Sequence, residues 1–290
     1  LEQRGHEKWY DKLSRVLNSA ICFSSAYLLI NYLHWVVVAL AGKLFKFDGF
    51  IYYHGVKFIL NGHRWDKLNV FIIYTAGPLF ALVVGLLSIY LYSKFKRVKN
   101  IINIFFLWLF IIGVSIFLSQ SVIASIGLNE YLSPYYTDFA IAFAWARIPQ
   151  FLVYAINLPF AVLLLYFAVN MARPFLVFAY SYTKVNKLQR RRKYFFEVAI
   201  LPFIIGSVIT TIAIFPVSGT SYSLNIFVHA TYLLFIAVML FIAWYALQYI
   251  EVMKDEVIKY KNLQSLSSFG VFFFILLVIF IRLTWHGIYI

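Results

Sequence analysis

Seven stretches of this sequence are apolar for long enough to cross a lipid bilayer, and nothing else in it constrains the fold as strongly. They cover residues 16–42, 68–92, 101–126, 148–182, 194–217, 221–249 and 269–290. One helical crossing takes roughly 20 residues. In lipid, only helices and closed barrels satisfy every backbone N–H and C=O, and these runs lack the alternation of barrel strands. The expected class is an all-α integral membrane protein, a single transmembrane domain (1–290) built as a polytopic bundle of about seven helices. Composition agrees: 63% of the 290 residues are hydrophobic and 12% are charged, about half the charged share of a soluble domain. The fourth run is too long for one perpendicular crossing, and Pro159 and Pro174 predict a kink or break within it.

The segments between runs differ in charge. Seventeen Lys and Arg fall on one side: the N-terminal segment, and the segments after the second, fourth and sixth runs. Six fall on the other (Lys43, Lys46, Lys57, Arg64, Lys67, Arg147). The positive-inside rule then predicts a cytoplasmic N-terminus and an outside C-terminus, in a cell membrane of the bacterial inner-membrane kind. The net charge of +14 is thereby read as a topology signal and not as a nucleic-acid site, because it is divided over four short segments. Its Arg190–Lys193 cluster suits anionic lipid headgroups. Cys22 is the only cysteine, which excludes an intrachain disulfide and a cysteine metal cluster.

Two connecting segments exceed what a turn needs. Residues 43–67 mix aromatic and polar residues, broken by Gly49, Gly55 and Asn61–Gly62, and read as a hairpin-like interfacial segment. Residues 127–149 contain a short apolar piece, 139–146, too short to span, which reads as a re-entrant half-helix.

Polar residues inside the runs are the candidates for chemistry, because lipid makes them costly: Asn18, Asn31, His34, Gln120, Asp138, Asn157, Asn170, Glu197, Asn225, His229, Arg282 and His286. Asn31 offers His34 a bland hydrogen-bonding role, and Asp138 offers one as a helix cap. Phosphate-binding, dinucleotide and nucleophile-elbow motifs are absent from the sequence. No two histidines share a run at a depth suited to haem.

Residues 30–50 read INYLHWVVVALAGKLFKFDGF, and residues 72–87 read IIYTAGPLFALVVGLL. With Asp138 in YYTDFAIAFAWARIP, this pattern over 31–149 resembles the intramembrane site-2 protease family of zinc metallopeptidases. That family has an HExxH helix, a membrane-dipping hairpin, a helix marked by Gly-Pro, and a later Asp as third zinc ligand. The resemblance maps the first histidine onto His34, the Gly-Pro pair onto Gly77 and Pro78, and the third ligand onto Asp138. It departs where the chemistry is most demanding. Trp35 stands at the position of the general base and Val38 at that of the second histidine, and neither binds zinc or activates water. The charge asymmetry also puts the 43–67 segment on the side opposite to the family's hairpin.

The resemblance implies a pseudoprotease with no catalytic residue, no metal and no cofactor. Its relic pocket would comprise His34, Trp35, Gly77, Pro78 and Asp138, with His34 and Asp138 paired. The expected role is non-catalytic: a subunit or scaffold of a membrane assembly, whose partners are membrane lipids and other membrane subunits. The alternatives are a transporter or lipid-handling protein using the broken fourth run, and an active metallopeptidase recruiting His54 or His63.

Overall fold

A computed structural model describes residues 9–53, 55–59, 65–95, 101–127, 137–179, 181–214, 223–252, 267–284 and 287–290. The elements in chain order begin with α1 (Trp9–Leu44), the strands β1 (Asp48–Tyr52) and β2 (Gly55–Ile59), α2 (Lys67–Phe95) and α3 (Ile101–Gly127). Next come α4 (Asp138–Ala146), α5 (Gln150–Asn170), α6 (Ala172–Val177), α7 (Leu188–Phe195) and a π-helical turn (Phe196–Ile200) that leads directly into α8 (Leu201–Ile214). Last are α9 (Ser223–Ala246), α10 (Ser268–Leu283) and β3 (Ile288–Tyr289). The chain is an all-α polytopic membrane bundle with a small three-stranded sheet at one end. Six described helical stretches are long and apolar enough to cross a membrane: α1, α2, α3, α5 with α6, α7 with α8, and α9. At 16 residues, α10 is shorter.

Three helices organise the interior. In α1, Phe23, Ala26, Tyr27 and Ile30 are fully buried, and α3 is buried on almost every face from Leu107 to Ser121. Close approach between α2 and α3 depends on glycine: a Cβ on Gly113 would lie 2.4 Å from the Ala81 carbonyl oxygen and 3.0 Å from Gly85. Small residues at such crossings are how helices pack tightly in lipid.

Proline explains the two irregular helices. The fourth run breaks at Met171, between α5 and α6, and not at Pro159, which lies inside α5. Pro174 clashes with the carbonyl four residues earlier, that of Asn170, where α5 ends. In the next run, Pro202 has no N–H for the Val198 carbonyl. The backbone there widens into the π turn, and Val198 O accepts a hydrogen bond from Ser19 Oγ on α1 at 2.6 Å.

One end of the bundle brings together the first turns of α1, the π turn, the end of α2 and the starts of α3 and α10. Lys12 and Arg15 of α1 pair with Glu197 in the π turn, at 3.0 and 3.4 Å. Cys22 Sγ faces the Ile101 carbonyl at the start of α3, and Asn103 Nδ2 donates to the Phe95 carbonyl at the end of α2. Asn18 Oδ1 accepts the Ser267 N–H that precedes α10.

At the opposite end β1 and β2 pair antiparallel, Phe50 opposite Lys57, and β3 pairs antiparallel with the other edge of β1. This corrects the last apolar run, expected to be helical through residue 290. The helix stops at Leu283, Gly287 turns the chain at φ +83°, and Ile288–Tyr289 form a strand. Apolarity alone does not separate a helix end from a short β-branched and aromatic strand. His54, His63, Asn61–Gly62 and His286 lie outside the described residues, as does the side chain of Asn225.

Candidate functional site

The residues on which the resemblance rests meet at one point in the bundle. His34, in the second half of α1, donates from Nε2 to Asp138 Oδ2 at 2.6 Å, across 104 positions of sequence. Both side chains are buried. Thr137 is the N-cap residue of α4, and Asp138 stands in the first helical turn with its carboxylate engaged by His34, not by the backbone. Asn31 is not the partner of His34: its Nδ2 donates to the Tyr53 carbonyl, fastening α1 to the end of β1. Gln120 of α3 extends the pair, its amide reaching Asp138 Oδ2 at 3.5 Å and hydrogen-bonding the Tyr232 hydroxyl of α9. Four helices, α1, α3, α4 and α9, are thereby tied by polar groups inside an apolar core.

Gly77 is what allows α2 to close over this pair. A Cβ there would lie 2.6 Å from His34 Cε1, 2.7 Å from His34 Nε2 and 2.8 Å from Val38 Cγ2. Position 38 therefore faces the same spot as the imidazole. Pro78 follows, buried within α2, and the Trp35 ring meets the His34 ring edge-on at 4.8 Å. His34 Nδ1, Gln120 Oε1 and Thr137 Oγ1 are buried around the pair without hydrogen-bond partners.

These residues do not fit a zinc ion. The donor set has two members where a catalytic zinc takes three. Among the described residues no three His, Cys, Asp or Glu side chains converge. Here histidine and aspartate satisfy each other.

The remaining polar candidates tie helices together. His229 of α9 joins α1 and α8: the Thr211 hydroxyl donates to the Ser207 carbonyl at 2.6 Å, so it accepts from His229 Nε2–H at 3.0 Å. His229 Nδ1 then accepts from the Tyr27 hydroxyl at 2.6 Å. Asn157 Nδ2 donates to Ser125 Oγ, joining α5 to α3. Asn170 returns to its own helix at the Tyr166 carbonyl, and Arg282 reaches the Ile212 carbonyl of α8. Ser19, Tyr27, Thr211 and Tyr232 do not stand out in the sequence, because hydroxyls barely interrupt an apolar run. Spacing is their one sequence signal: Tyr27 and His34 share a face of α1 seven residues apart, and His229 and Tyr232 share one of α9.

A cavity of about 240 Å³ lies between α1, α3 and α10, lined by groups such as Ile21, Cys22, Phe105 and Phe273. Its walls are apolar. No known protein family, curated protein or solved structure matches the chain.

Proposed function

We propose that this membrane protein is a non-catalytic relative of the site-2 proteases that serves as a subunit of a membrane assembly. The observation that carries the reading is the convergence of His34, Gly77 and Asp138, three residues far apart in sequence, with Val38 facing the same point. In a zinc peptidase that point holds the metal. Here a direct histidine–carboxylate contact takes its place, and Trp35 and Val38 stand where a base and a ligand are needed. A site closed in this way has structural value only, which leaves recognition of other membrane proteins as the role. The bundle offers surface for it, since α5 exposes Phe151, Tyr154, Leu158, Val162 and Tyr166. In this reading the β1–β2 hairpin lies at the membrane interface, α4 is re-entrant, and α10 supplies a seventh crossing. The basic end of the bundle faces the cytoplasm, the membrane being a bacterial inner membrane.

The kinship is tested by rebuilding the site. The Trp35→Glu/Val38→His double variant, purified in mild detergent, is expected to bind one zinc per chain, with the metal lost again on adding His34→Ala. A rebuilt protein that binds no more zinc than the parent overturns the kinship. The subunit role is tested separately by crosslinking in native membranes and purification. A stoichiometric partner supports it, and a chain recovered free of any partner refutes it.

A further inference from the structure

The basic cluster on α7 is built into the bundle in a way that the positive-inside rule does not require. Arg192 sits over the Trp244 ring of α9, its guanidinium carbon 4.7 Å from the centroid. Arg190 is held by a hydrogen bond of 2.9 Å from Nη1 to the Thr183 carbonyl. Arg191 and Arg192 are half-buried, and in each the Nε is buried without a hydrogen-bond partner. Among the described residues no carboxylate pairs with Arg190, Arg191, Arg192 or Lys193. The nearby Glu197 is occupied by Lys12 and Arg15. With both Nε atoms buried, the Nη groups are the donors left to these two arginines, and such a pair of N–H groups matches phosphate.

The surface leading away from Arg192 is apolar and exposed. On α8, Ile204, Val208 and Ile212 recur every fourth residue, and Leu234, Val238 and Phe241 are exposed on α9. Arg192 of α7 meets α9 at Trp244, and α8 meets α9 at Thr211–His229. The arginine donors thus stand at one end of helices whose exposed residues are apolar.

We propose that this is a binding site for an anionic phospholipid, its phosphate held by Arg191 and Arg192 and its acyl chains lying along α8 and α9. The unpaired cations favour a net negative headgroup over a zwitterionic one. The apolar strip favours a lipid over free phosphate. The site rests on the membrane fold alone, and it stands or falls independently of the peptidase kinship and of any partner.

The test uses the intact protein reconstituted in nanodiscs with equal parts phosphatidylglycerol and phosphatidylcholine, then re-extracted in mild detergent and analysed for retained lipid. Retained phosphatidylglycerol is expected to exceed phosphatidylcholine by about tenfold. The Arg191→Gln/Arg192→Gln variant is expected to lose that preference, while Lys43→Gln, at the far end of α1, keeps it. Excess glycerol phosphate is expected to leave the lipid bound. Equal retention of the two lipids, an unchanged preference in the arginine variant, or displacement by glycerol phosphate each overturns the proposal. Should the arginine variant fail to fold, brominated lipids give a second reading on the parent protein. Brominated phosphatidylglycerol is expected to quench tryptophan emission more than brominated phosphatidylcholine, and Trp244→Phe to abolish the difference; equal quenching refutes the site.

Discussion

Replacing His34 by leucine keeps the volume of the side chain and leaves the Asp138 carboxylate without its 2.6 Å partner. The carboxylate's side chain is 7% exposed, and the Gln120 amide, at 3.5 Å and shared with Tyr232, is a poor substitute. Removing one member of such a buried pair costs ~3–5 kcal/mol, mostly for the charge left behind. Asp138→Ala should cost a similar amount, because it strands Nε2 beside an Nδ1 that already has no partner. The double variant leaves no stranded charge, so it should be less destabilised than either single variant. That ordering requires a coupling energy of at least ~3 kcal/mol, the upper end for residues in contact. Denaturation in mixed detergent micelles measures it, with the fluorescence of Trp35, 4.8 Å from the His34 ring, as a local probe. A double variant whose loss equals the sum of the two single losses would refute the pairing as an energetic unit.

Gly77→Ala forces a methyl to within 2.7 Å of His34 Nε2. It should destabilise by ~1–3 kcal/mol, and by much less in a His34→Ala background, where thermal melts of the four proteins reveal the difference. Ser19→Ala removes both the donor to Val198 O and the acceptor of Trp108 Nε1, for a cost of ~1–3 kcal/mol in the same melts. For the sidedness of the membrane, a cysteine introduced at Asn61 should react with an impermeant reagent added outside and one at Lys187 should not. The opposite pattern would invert the assignment.

The helical bundle was legible because apolar run length maps directly onto bilayer crossings, and the meeting of the starts of α1, α3 and α10 with the end of α2 follows from the same alternation. Where the readings strayed, a local rule was masked by apolarity. The fourth run breaks at Met171 because Pro174 acts on the carbonyl four residues back, while Pro159 is absorbed inside α5. The strand Ile288–Tyr289 is apolar like the helix before it, and Gly287, at positive φ, directly precedes it. At the candidate site, His34 and Asp138 could be paired from the resemblance, but Gln120 was only one polar residue among a dozen, and Tyr232 carried no signal beyond its spacing from His229. Their joining depends on how α3 and α9 rotate about their axes, which the nearly uniform apolarity of those helices does not encode.

The polar ties of α1 also have a history in time. Arg15, Ser19 and His34 are among the first residues of this sequence to be made, and their partners lie 182, 179 and 104 positions downstream. At ordinary rates of synthesis the longest of these intervals is about 10–40 s. Until Trp108, Asp138, Glu197 and Val198 follow in turn, α1 is a helix whose arginine, serine and histidine lack final partners, a poor candidate for release into lipid on its own. The order in which α1 gains its partners, from α4 and then from the π turn, is thereby written into the bundle's hydrogen bonds.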